Sequence, residues 1–225
     1  EAEDVLCHGE YTGTITATTS GGQYPYFYDW SYELATDGLN HNTAVNLPAG
    51  LHYVTITDWV CCSRVDSIFI DEPPTALELS YTSTPVDCHG GNNGTIDISV
   101  SGANPPYNIT WEDGFYGSHV ENLSGGMYTV SVTDQNNCLL TEDIEVIQPD
   151  TLIAYANASM IDCYNASNGY IAIHPVGGTE PYNYQWFHNF SETSDSVYNL
   201  PPGLYVCSVT DAHGCEDTIT QYITQ

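Results

Sequence analysis

Apolar and polar residues alternate with a period of two along much of this chain, and the alternation recurs three times. Ile15-Thr16-Ala17, Ile96-Asp97-Ile98 and Ile171-Ala172-Ile173 each follow a glycine. Further on, Tyr26, Tyr28 and Trp30 fall on one face, as do Tyr107, Ile109 and Trp111, and Tyr182, Tyr184 and Trp186. A third segment places His52, Val54 and Ile56 inward, then Tyr128, Val130 and Val132, then Tyr205, Cys207 and Val209. Thr55, Thr57, Ser131, Thr133, Ser208 and Thr210 occupy its opposite face. This pattern predicts antiparallel strands buried on one side and wetted on the other. Gly50, Gly126 and Gly203, with the Asn/Gly/Pro clusters between runs, supply the turns.

The three copies share ordered anchors. Cys7, Cys88 and Cys163 open them, each with a glycine six residues on, at Gly13, Gly94 and Gly169. Pro25-Tyr26, Pro106-Tyr107 and Pro181-Tyr182 precede the tryptophans, and Thr57-Asp58, Thr133-Asp134 and Thr210-Asp211 precede the closing Cys62, Cys138 and Cys215. Such self-similarity marks a repeat architecture. About seven short strands in each 75-residue unit predict an all-β chain of three tandem Ig-like antiparallel β-sandwich modules. Pro73-Pro74 and Pro149 set the boundaries, giving modules 1–73, 74–149 and 150–225. The second and third have room for a first strand, at Leu77–Tyr81 and Leu152–Tyr155. Only six residues precede Cys7, so the first module is expected to lack that strand.

Composition narrows the function. Twenty-nine acidic residues face one basic residue, Arg64, for a net charge of −28. Neutralising phosphates needs Lys and Arg, so nucleic acid is excluded as a partner and an anionic membrane surface is disfavoured. No apolar run approaches the length of a membrane span. The acidic start Glu1-Ala2-Glu3-Asp4 is not a signal peptide, which suggests a mature form or a slice of a longer array. With no lysine, Lys–Asn isopeptide staples are impossible.

The pattern Cys-x5-Gly-x-Ile, Pro-Tyr-x-x-x-Trp, Leu-x-x-Gly-x-Tyr-x-Val-x-Val-Thr-Asp and closing Cys resembles the SprB-type repeats of Bacteroidetes gliding-motility adhesins. The resemblance covers nearly the whole chain. His52 stands where Tyr is expected, Cys61-Cys62 is a pair, and Cys207 replaces Val. The Gly-x-Tyr-x-Val-x-Val-Thr-Asp strand is also similar to PKD-type Ig-like domains. The resemblance implies secretion, long cell-surface proteins and adhesion or motility, and no catalytic residue.

Eight cysteines in an extracellular-looking chain suggest disulfides. The repeat proposes Cys7–Cys62, Cys88–Cys138 and Cys163–Cys215, each closing about 50 residues for roughly 4 kcal/mol in the chain-entropy model. A metal site with His8, His89 or His213 is the rival, weakened because Tyr164 replaces histidine in the third copy. Cys207 reads as a buried thiol, and Cys61 as spare or as an alternative partner for Cys7. Asp58, Asp134 and Asp211 are weak calcium candidates, better explained as acceptors in the turn after each strand. Loosely held calcium at the acidic surface is the most expected of a cofactor. Asn-x-Ser/Thr sites at Asn93, Asn108, Asn122, Asn157, Asn165 and Asn189, and Asp-Ser/Thr-apolar sites at Ser67, Thr151, Ser196 and Thr218, are candidates for covalent glycans.

No nucleophile setting recurs, so the chain reads as non-enzymatic. The leading expectation is an extracellular structural or adhesive segment of a cell-surface fibre, partnered end to end by adjacent modules or copies of itself. The alternative is a module that binds surface glycans through its loops, which exposed aromatics at 112–122 or 187–199 would favour.

Overall fold

A computed structural model describes residues 1–32, 41–161 and 167–224. Among the described residues every regular element is a strand. The first repeat holds β1 (Ala2–Glu3), β2 (Gly13–Thr16), β3 (Phe27–Trp30), β4 (Thr43–Leu47), β5 (Gly50–Thr57) and β6 (Ser63–Ile70). The second holds β7 (Glu78–Thr84), β8 (Gly94–Ser101), β9 (Asn108–Trp111), β10 (His119–Leu123), β11 (Gly126–Thr133) and β12 (Leu139–Val146). The third holds β13 (Ile153–Ala158), β14 (Gly169–Val176), β15 (Asn183–Trp186), β16 (Ser196–Leu200), β17 (Gly203–Thr210) and β18 (Glu216–Ile223).

Each repeat builds two three-stranded sheets with one strand order. The first, second and fourth strands form one sheet; the third, fifth and sixth form the other. All pairings with a described register are antiparallel. This is an Ig-like arrangement in which the described residues form six strands per repeat rather than about seven, the fourth strand leading directly into the fifth. By compactness the chain divides into Glu1–Ser80 with Ile98–Tyr116 and Thr129–Glu142, and Tyr81–Asp97 with Gly117–Tyr128 and Asp143–Gln225. Strands of the second repeat contribute to both.

The inward face is the one the alternation predicts. In the third repeat Ala154, Ile171, Ile173, Trp186, Val197, Cys207, Val209 and Ile223 form one core drawn from both sheets. Ile96, Val130, Val132, Ile144 and Val146 are buried in the second. The first repeat has a smaller core, with Val5, Ile15, Ala44, Leu47 and Ile70 buried and Trp30 only partly so. The glycine after each opening cysteine is a packing requirement. A Cβ on Gly13 would stand 2.9 Å from the Leu47 carbonyl oxygen, and one on Gly169 2.9 Å from that of Leu200. Asn46, Asn122 and Asn199 share a left-handed backbone in the fourth strands, where the pairing with the second strand shifts register.

The first strand of repeat 1 is shortened rather than missing. Ala2 pairs with Ile15 as Ala158 pairs with Ile171, so β1 corresponds to the last residues of β13. Residues Ile153–Ala156, which pair with Ile173–Val176, have no counterpart in β1. β2 accordingly ends at Thr16, while β8 and β14 run on for eight residues.

Candidate functional site: the cysteine joints

The closing turn is the same small device in each repeat. Asp134 is buried and its Oδ1 accepts the N–H groups of Asn136 (2.8 Å) and Cys138 (2.8 Å), while Oδ2 accepts that of Asn104 (3.1 Å). Asp211 does the same with His213 (2.9 Å), Cys215 (2.9 Å) and Thr179 (2.8 Å). Asp58 does so with Val60 (3.0 Å), Cys62 (2.9 Å) and Gln23 (3.2 Å). Burial alone would raise the Asp211 carboxyl, but the N–H groups of Cys215, Thr179 and His213 outweigh it and hold the pKa below the ordinary carboxylate value. The calcium candidates Asp58, Asp134 and Asp211 therefore spend their oxygens on backbone donors. Among the described residues no three metal-ligating side chains gather into a site.

Into this turn comes the opening loop of the preceding repeat. Cys7 is disulfide-bonded to Cys138, with Cα atoms 5.6 Å apart, and Cys88 to Cys215 at the same separation. The Leu6 carbonyl lies 3.4 Å from the Cys138 sulfur and accepts a hydrogen bond from Asn136 Nδ2 at 2.9 Å. The Asp87 carbonyl lies 3.4 Å from the Cys215 sulfur. The opening loop is itself tied to the linker beyond its own repeat, because His8 Nδ1 donates to the Pro73 carbonyl (2.8 Å) and His89 Nδ1 to that of Pro149 (3.1 Å). His8 and His89 thus clasp the linkers.

These bonds correct the expected pairings Cys7–Cys62 and Cys88–Cys138. The opening cysteine precedes the start of the second strand, whereas the closing turn binds the chain just beyond its far end, at Asn104 in repeat 2 and Thr179 in repeat 3. An extended run of about eight residues separates the two poles by roughly 25 Å, far beyond disulfide reach. Cys62 is free and exposed, as is Cys61, so Cys61 does not bond Cys7. Cys163, expected to pair with Cys215, lies outside the described residues, as does the candidate Asn165. Cys207 is a buried free thiol, as its inward register predicted, and burial pushes its pKa up to about 11. His52 replaces tyrosine without loss of the local bond. Its Nε2 donates to Pro48 (2.8 Å), as Tyr128 OH does to Ser124 (3.0 Å) and Tyr205 OH to Pro201 (2.9 Å).

Among the family models compared, that of the SprB repeat matches residues 1–32, 80–114 and 156–188. Three segments of the chain, one in each repeat, thus resemble the SprB repeat. No curated protein matches the sequence. Among solved structures, the N-terminal eight Ig domains of Down syndrome cell adhesion molecule isoform 1.30.30 share 13% identity at a TM-score of 0.47, over 99% of this chain and 35% of that one. Extracellular domains 3–5 of Drosophila OTK share 10% identity at 0.28, over 90% and 86%. Domains 4–9 of the surface layer protein SbsC share 11% identity at 0.22, over 95% and 42%. The chain thus spans about a third of the first of these, and likenesses at these scores say nothing of partners.

Two further features belong to the first repeat. Where β13 packs against β18 in repeat 3, repeat 1 has a groove of about 500 Å³ lined by Ile15, Thr16, Trp30, His52, Val54 and Ile68. A second cavity of about 340 Å³ borders Cys62, Asp58, Gly22 and Tyr26.

The glycan candidates Ser67, Thr151, Thr218, Asn108, Asn157 and Asn189 are exposed, and Ser196 is half-buried. Asn93 is exposed but clamps its loop, its amide nitrogen donating to Asp87 and its oxygen accepting the Asp87 N–H. Asn122 is exposed and shares the left-handed bulge of Asn46 and Asn199.

Proposed function

We propose that the chain is a load-bearing segment of an extracellular, cell-surface adhesive fibre, in which each repeat is welded to the next. The Cys7–Cys138 and Cys88–Cys215 bonds carry this reading, since each ties the opening loop of one repeat to the closing turn of its successor. Such a bond lies in parallel with the peptide linker, so a pull that opens the linker meets a covalent tie. No catalytic role is assigned. The −28 charge repels like surfaces, keeps the fibre soluble and draws loosely held divalent cations. Exposed Ser67, Thr151 and Thr218 are the proposed sites of covalent glycans. Antibody against the chain should label fibres on intact, unpermeabilised source cells; label appearing only after lysis would overturn the reading.

A second reading, glycan binding, is favoured by the exposed aromatics of repeat 3. Phe187 and Phe190 meet edge to face with centroids 5.9 Å apart, and Tyr170 stacks on Tyr198 at 6.0 Å. Flat exposed rings of this kind are platforms for sugar faces as well as for neighbouring protein.

A further inference from the structure

Cys61 holds a backbone conformation that its residue type rarely adopts. Its φ is 67°, in the left-handed region. The same place in the other two closing turns is taken by Asn137 at 64° and Gly214 at 84°, the residue types that tolerate it best. A cysteine there carries strain that asparagine or glycine would relieve, and an outlier of this kind points to a use for its side chain. The next residue supplies one. Cys62 follows directly, and both thiols are free and exposed. The turn around them is open, with Trp59 and Val60 63% and 52% exposed. Cys62 also borders the cavity of about 340 Å³, which leaves room for a small oxidant at its sulfur.

Asp58 pins the peptide between the two cysteines. The Cys61 N–H donates to the Asp58 carbonyl (3.0 Å), the Cys62 N–H donates to Asp58 Oδ1 (2.9 Å), and the Cys62 carbonyl accepts the Asp58 N–H (3.0 Å). Adjacent Cα atoms lie about 3.8 Å apart, short of the roughly 4.4–6.8 Å that disulfides prefer. The two joints bond comfortably at 5.6 Å. A bond between these neighbours is therefore strained, and strained, exposed disulfides are the readily reduced ones.

We propose that Cys61 and Cys62 form a reversible dithiol–disulfide couple, a redox switch that loosens the first closing turn when a low-molecular-weight disulfide oxidises it. The Cys62 thiolate attacks one sulfur of that disulfide and expels a thiolate; the Cys61 thiolate then attacks the Cys62 sulfur and expels the second. Two protein thiols are oxidised, one disulfide is reduced to two thiols, and the two protein protons pass to the released thiolates. Closing so small a ring turns the Cys61–Cys62 peptide and draws its flanking N–H groups off Asp58. The Asp58 carboxylate then keeps the N–H groups of Val60 and Gln23. The switch goes beyond the fibre reading, which antibody labelling tests without reference to either cysteine.

The test equilibrates the full chain in glutathione buffers of rising oxidised fraction, then alkylates the remaining thiols for peptide mapping. Cys61 and Cys62 should lose alkylation together and regain it on return to reduced glutathione, with an internally bonded Cys61–Cys62 peptide two hydrogens lighter. Cys7–Cys138 and Cys88–Cys215 should stay bonded throughout. In the oxidised chain the Cys61 and Cys62 amides should exchange faster with solvent. Cys61→Asn, which restores the residue of the second turn, should raise the denaturation midpoint of the reduced chain and leave Cys62 as a stable mixed disulfide with glutathione. A pair that stays dithiol in fully oxidised glutathione, a link from either cysteine to any other, or a ring that forms with both amides still protected would overturn the proposal.

Discussion

Cys7 bonds Cys138, 131 residues further along the chain, and leaves Cys62 of its own repeat free. With both disulfides intact, the shortest covalent path from end to end runs over residues 1–7, 88–138 and 215–225. At about 3.3–3.6 Å per residue, full unfolding can extend less than a third of the contour. Pulled by its ends, the oxidised chain should show a contour gain limited to those segments, and the reduced chain the gain of all 225 residues. Equal gains in both states would rule the joints out.

Acid should loosen the closing turn of the third repeat. Asp211 has a folded pKa below its ordinary 3.8, so its stabilisation is complete above the unfolded value and is lost as pH falls through the folded one. Asp211→Ala strands buried N–H groups at a cost of about 1–3 kcal/mol each. Denaturant titrations from pH 7 to pH 2 should show a stability loss that the variant lacks.

The shortened β1 exposes backbone. Amides of Thr18 and Ser20 should exchange faster than their counterparts His174 and Val176, which β13 covers, whereas Ala17, like Ile173, is held from the other side, by Asn42. Hydrogen exchange on the intact chain reads this directly; equal protection would mean that another segment pairs with that edge.

Thiol chemistry separates the free cysteines. Burial holds Cys207 near pKa 11, so little thiolate forms at pH 8, while Cys61 and Cys62 are open to solvent. Iodoacetamide on the native chain should modify Cys61 and Cys62 and spare Cys207 until denaturant is added.

Much of this was legible in residue order. Period-two alternation gave the inward faces of β9, β11 and β14, and the spacing of Cys7, Gly13, Trp30 and Asp58 gave the repeat. Asp58, Asp134 and Asp211 were readable as turn acceptors because a cysteine stands four residues after each. The disulfide partners were not read correctly, since proximity in sequence favoured pairing within a unit. The order of strands held the missing signal. β4 runs antiparallel to β2 and turns straight back into β5, so β5 runs with β2 and the closing turn lies at the pole opposite the opening cysteine; simple alternation of direction along the chain would have put both at one pole. The exposure of Trp59 and Val60 was hidden too, because an exposed apolar turn looks like core in a one-dimensional pattern.

The most direct measurement is disulfide mapping of the oxidised chain by mass spectrometry after peptic digestion, since Arg64 offers trypsin a single site. The account predicts peptides linking Cys7 to Cys138 and Cys88 to Cys215. Peptides linking Cys7 to Cys62 and Cys88 to Cys138 would contradict it.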